Sequence, residues 1–262
     1  MTLLARVEIL KLRTMRVTYG LLATSAGLTA LFATLEASRA GNGRSGVASL
    51  STSSGVSTVT TLTGWSMLFA AVLGVIASSG EFRHSTATLT YLATPNRVSV
   101  LRAKAGASAV VGAAFGLAAS VIATGVGLAF VSSHGYHLAI GAGAIVGHAA
   151  GAMLGAALFA VVGVGIGSLV RFQVAGIIAL FVWGLVVESI IGGLFTSVRP
   201  YLPYTAATTL AGIKLGGAAF GPAHGLNGGS PLPFVAAAAL VAGVAVVLGA
   251  LASRTTVPAD VS

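Results

Sequence analysis

Residues Gly147 to Val170 read GHAAGAMLGAALFAVVGVGIGSLV, and Arg171 follows. The stretch holds no Asp, Glu, Lys or Arg. As a helix it is roughly 36 Å long, enough to cross a hydrocarbon core of about 30 Å. In lipid every backbone N–H and C=O must be satisfied internally, which leaves helices and closed barrels. A barrel strand calls for about ten residues of alternating polarity. This run is longer and does not alternate, so it predicts a transmembrane helix.

The same reading extends in both directions. Uncharged runs at about 17–35, 62–77, 107–131, 174–194 and 232–252 join 147–170 to make six expected spans. The first is the most polar, with several Thr and Ser between Arg16 and Glu36. Only 7% of the 262 residues are charged while 56% are hydrophobic, too few charges for an ordinary water-facing surface. The 36 glycines would weaken water-exposed helices but permit close helix crossing in a membrane. The chain contains no Cys, which removes disulfide and thiolate chemistry.

The 14 Lys and Arg residues fall at the ends of the runs, where short flanks set orientation. Arg6, Lys11, Arg13, Arg16, Arg83, Arg97, Arg102, Lys104, Arg171 and Arg254 fall on one side. Arg39, Arg44, Arg199 and Lys214 fall on the other. Ten against four predicts that both termini are cytoplasmic. It also argues against nucleic acid as a partner, because the net charge of +9 is spread over run edges and forms no single basic face. A cleaved signal peptide is not expected, because the first apolar run is long and its basic flank extended.

The expected organisation is therefore all-α: a cytoplasmic interface helix at 1–16, a six-helix transmembrane domain at 17–254 and a cytoplasmic tail at 255–262. In the first segment Leu3, Val7 and Leu10 follow helical spacing, and Glu8 can pair with Lys11 at i,i+3. Two readings stand for it, a surface helix touching a partner and a basic topology anchor. Residues 38–61, rich in Ser, Thr and Gly, read as a flexible outer loop. Glu81 to Leu92 are expected to form a short cytoplasmic helix, with Glu81 near its start and Thr94-Pro95-Asn96 ending it. The tract after span five is apolar for a loop but too broken by Pro and Gly to span, and is expected to dip back or pack the top of the bundle.

Glu188 is the acidic residue well inside a span, and such a group is a functional candidate by default. Its readings are a cavity-lining or paired carboxylate and a charge near the outer interface held by water. Gly147, Gly151 and Gly155 give span four a small-residue face, as do Gly163 with Gly167, and Gly112 with Gly116 in span three. His134, His137 and His148 match no ligand spacing, so no metal is expected. No phosphate-binding Gly-x-x-x-x-Gly-Lys loop, His-Glu-x-x-His pair or serine elbow occurs in the sequence. No catalytic residue or cofactor is therefore expected.

The most distinctive stretch is Gly80-Glu81-Phe82-Arg83-His84-Ser85-Thr86, followed by Ala93-Thr94-Pro95-Asn96-Arg97 and Lys104. Together with Glu8-xx-Lys11-xx-Thr14 it resembles the permease subunits of the ABC transporter type-2 family, particularly those of high-GC Gram-positive bacteria. Ser85 stands where that family commonly has Gly. The resemblance implies six spans, two permease copies as a homodimer or heterodimer, and a separate ATP-binding subunit. It puts Glu81, Arg83, Thr86, Pro95 and Arg97 on the stretch that couples to the ATPase, and Glu8 and Lys11 on the interface helix. The implied function is ATP-driven movement, usually export, of a hydrophobic or amphipathic compound across the plasma membrane. An ion-coupled secondary transporter and a non-transporting assembly factor are the alternatives.

Overall fold

The computed structural model describes residues 2–41, 48–83, 97–170, 172–213 and 230–255. Helix α1 (Thr2–Thr14) leads through Met15 into α2 (Arg16–Arg39). Then follow α3 (Ser53–Thr60), α4 (Gly64–Arg83), α5 (Arg97–Ser133) and α6 (Ala142–Leu169). Helix α7 (Gln173–Phe181) continues through a π-helical turn (Val182–Val187) into α8 (Glu188–Leu194). A 3₁₀ turn (Arg199–Tyr201) leads to α9 (Pro203–Leu210), and α10 (Phe234–Thr255) ends the described chain. Among the described residues the fold is all-α, with six helices long and apolar enough to cross a bilayer. The molecule is a polytopic membrane protein. Its spans are α2, α4, α5, α6, the continuous α7–π–α8 rod, and α10.

Burial orders the spans. Of the most apolar window in the Ser53–Gly80 segment 89% is buried, against 22% for span one, 22% for span five and 17% for span six. Span two is thus the axle of the bundle: Met67, Leu68, Ala70, Ala71 and Leu73 have no exposed surface. Span four packs directly on it because glycines remove the side chains between the two backbones. A Cβ at Gly163 would fall on the Ala71 carbonyl, and one at Gly74 on the Ala160 carbonyl. At the same crossing the Ser78 and Ser168 hydroxyls bond to each other. Span three meets span four likewise, with Gly112 against Ala156 and Gly116 against Ala152. Without a hydrophobic drive between helices in lipid, such close approach supplies the dispersion contact that holds the bundle.

Three expectations change. Helix α5 starts at Arg97, about ten residues before the apolar run, so Arg102 and Lys104 belong to a helix and not to a loop leading into span three. Gly80 to Arg83 continue α4, because a lone Gly does not stop a helix. Glu81 therefore stands in the last turn of α4, and the rest of the short helix expected over 81–92 lies outside the described residues. Residues 53–60, expected as flexible loop, form α3: Thr52 caps it by accepting a hydrogen bond from Gly55 N–H at 3.2 Å, and Val56 and Val59 are fully buried. They join Ala33, Ala37, Leu50, Leu62, Val131 and Ile140 in a second core at the end of the bundle away from α1.

Candidate functional site

Among the described residues Glu8, Glu36 and Glu188 are buried, and two of these carboxylates, Glu188 and Glu8, tie helices together. The first is Glu188. Span five loosens into a π turn just before it, and its backbone N–H bonds back to the Trp183 carbonyl, five residues earlier. In an α-helix residues i and i+5 point roughly 140° apart. The wider turn brings them onto one face. The Trp183 indole N–H accordingly donates to Glu188 Oε1 at 3.0 Å.

The other donors come from α9. The chain leaves span five at Leu194, folds back through Arg199–Tyr201 with the Arg199 stem over Gly192, and starts α9 deep in the bundle. The Tyr204 ring lies beside Gly184, in the middle of span five, and 5.6 Å from the Phe159 ring in the middle of span four. A helix N-terminus there exposes N–H groups that lipid cannot satisfy. Pro203, as the first helical residue, has no N–H to lose. Tyr204 N–H donates to Glu188 Oε1 at 2.7 Å, and Thr205 N–H to Oε2 at 2.9 Å. Ala206 N–H reaches the Leu202 carbonyl at 2.7 Å. The Thr205 hydroxyl adds a bond to Oε2 at 3.1 Å.

Each carboxylate oxygen thus accepts two bonds, which fills the four acceptor sites of an ionised carboxylate. The positive end of the α9 dipole faces the same group. Glu188 is a capping carboxylate that fixes a re-entrant helix. Among the described residues its hydrogen-bond donors are all neutral.

The glycine face of span four serves the same helix. A Cβ at Gly151 would fall on the Leu210 carbonyl, and one at Gly155 would come within 2.9 Å of the Ala207 carbonyl. Gly212, at φ +82°, turns the chain out of α9 under the His148 ring. Gly147 meets nothing within 4 Å, so the close-packed face of this chain starts one turn later than its Gly-xxx-Gly pattern suggests. His134 stacks between Phe130 and Tyr136 in the turn after span three.

The second carboxylate is Glu8 on α1. The Lys104 ammonium on span three donates to it at 3.4 and 3.5 Å and to the Ala77 carbonyl of span two at 3.4 Å. Both side chains are buried, 5% exposed for Lys104 and 11% for Glu8. This junction ties α1 to spans two and three, the two helices that flank residues 84–96. Spacing within α1 names only Lys11 as a partner for Glu8; Lys104 lies 96 residues away. Of the stretch that carries the family resemblance, Thr86 and Pro95 lie outside the described residues, as do the side chains of Glu81, Arg83 and Arg97.

Compared with protein-family models and with curated proteins, the chain matches none.

Proposed function

We propose that the chain is the membrane-spanning permease subunit of an ATP-driven ABC transporter, exporting a hydrophobic or amphipathic compound. ATP is hydrolysed on a separate subunit, and two permease copies form the pathway. Both termini are cytoplasmic in this reading, as the ten-to-four division of basic residues argues. The supporting observation is the Glu8–Lys104–Ala77 junction. A force applied to residues 80–97 enters spans two and three directly and reaches α1, hence span one, through that junction. Glu81, Arg83, Thr86, Pro95 and Arg97 are the contact stretch for the partner, and α1 is the neighbouring interface helix. Closure of the partner subunits on ATP then biases the bundle between two states.

An ion-coupled transporter needs a deep ionisable group open to a proton or cation. Glu188 has all four acceptor sites engaged, which favours the ATP-driven reading. Co-purification in mild detergent with an ATP-binding subunit encoded nearby is the first test. In the assembled complex Glu81→Arg is expected to lower the transport-coupled ATPase rate several-fold while membrane insertion is retained. An unchanged coupled rate removes Glu81 from coupling. Flux that persists with no ATPase present contradicts the proposal as a whole.

A further inference from the structure

We propose that Glu36, with the helix break between α3 and α4 beside it, holds a monovalent alkali cation. Glu36 lies one turn before the end of span one and is 5% exposed. Among the described residues no hydrogen bond or ion pair reaches its carboxylate. Arg39, three residues on, is exposed and makes its contact elsewhere. The residues on either side of Glu36 along its face are apolar: Ala33 and Ala37 pack with Val56, Val59 and Leu62 in the second core. A carboxylate taken out of water needs a positive partner or a proton.

What stands level with it is oxygen. The Phe32 ring stacks on Trp65, centroids 5.4 Å apart, and spans one and two run in opposite directions. One turn past Phe32, Glu36 is therefore level with residues 60–63, where α3 ends and α4 has yet to begin. Thr60, Thr61 and Thr63 are buried there. Their hydroxyl protons are committed: Thr60 and Thr61 donate to the Ser57 carbonyl at 3.3 and 2.7 Å, and Thr63 to the Thr61 carbonyl at 3.4 Å. The hydroxyl oxygens keep lone pairs to offer. Leu62 N–H turns back to the Val59 carbonyl and Thr63 N–H to the Thr61 carbonyl. The Thr60 and Leu62 carbonyls thus receive no backbone N–H from the described residues. Hydroxyl and carbonyl oxygens with a carboxylate suit a hard cation, and broken membrane helices use unwound carbonyls in this way. One negative charge matches a monovalent ion. The ion joins span one to α3 at the end of the bundle away from α1, and is held there, not carried.

The full chain is purified in mild detergent with choline chloride and confirmed monodisperse. Its thermal unfolding is followed as choline is replaced by sodium or potassium at constant ionic strength. The Tm is expected to rise with sodium or potassium, because an ion that binds only the folded chain stabilises it. Glu36→Gln keeps the shape, removes the charge and is expected to abolish the rise. Thr60→Val is expected to raise the ion concentration needed for a given shift by about fivefold. A native Tm indifferent to the exchange of choline for either ion overturns the proposal. So does a rise that Glu36→Gln retains in full, or one that calcium alone produces. Should Glu36→Gln fail to give monodisperse protein, the double variant Thr60→Val with Thr63→Val decides: a weakened ion dependence supports the site, and an unchanged one overturns it.

Discussion

Glu188 and Glu8 are both buried, yet they are held in opposite ways. Glu188 accepts four bonds of 2.7–3.1 Å, all from neutral donors, two of them backbone N–H groups at a helix start. Glu8 faces one cation at 3.4–3.5 Å and retains slight exposure. The first arrangement satisfies groups that have no alternative partner in lipid, so opening it strands them. The second joins two charges through longer contacts, with Glu8 slightly exposed, so opening it costs less. The difference separates a fixed part of the bundle, where α9 is built into spans four and five, from one held by a longer charge pair, where α1 meets spans two and three.

Breaking the fixed end should have the largest effect. Glu188→Ala leaves the Tyr204 and Thr205 N–H groups unsatisfied and should destabilise the protein by about 4 kcal/mol, read from denaturant unfolding in mixed micelles. Gly151→Leu should cost about 3 kcal/mol, because its Cβ meets the Leu210 carbonyl and backbone cannot yield as a side chain can. Glu8→Gln should cost about 2 kcal/mol, below the usual figure for a broken buried pair because the bonds are long and water reaches Glu8. The charge-swapped pair Glu8→Lys with Lys104→Glu should recover part of that loss in a double-mutant cycle. Gly147→Leu, one turn from Gly151 in the same pattern, should change stability by less than about 0.5 kcal/mol in this chain. A Gly147→Leu effect equal to that of Gly151→Leu would break the distinction drawn along span four.

The six spans were legible because long uncharged runs leave few options in lipid. Gly151 and Gly155 were legible as a close-packing face, but their partner was not: α9 reads as a Pro-broken loop, and its burial depends on tertiary contacts. Glu188 stood out as a charge inside a span. Its role was hidden because two of its donors are backbone N–H groups, which carry no residue signature, and the π turn that aims Trp183 at it leaves no periodic mark. The Glu8 junction was hidden for a different reason, namely the 96 residues between its partners. Helix α3 was missed because two buried valines lie within a Ser/Thr-rich stretch.

Amide hydrogen exchange at Tyr204 and Thr205 in bilayer discs, compared between the native chain and Glu188→Gln, tests the capping account most directly. Gln keeps one acceptor oxygen and turns the other position into a donor. The account predicts that both amides exchange in the native chain as slowly as those in the centres of spans two and four, and much faster in the variant. Fast exchange at both positions in the native chain, or equal rates in the two proteins, would contradict it.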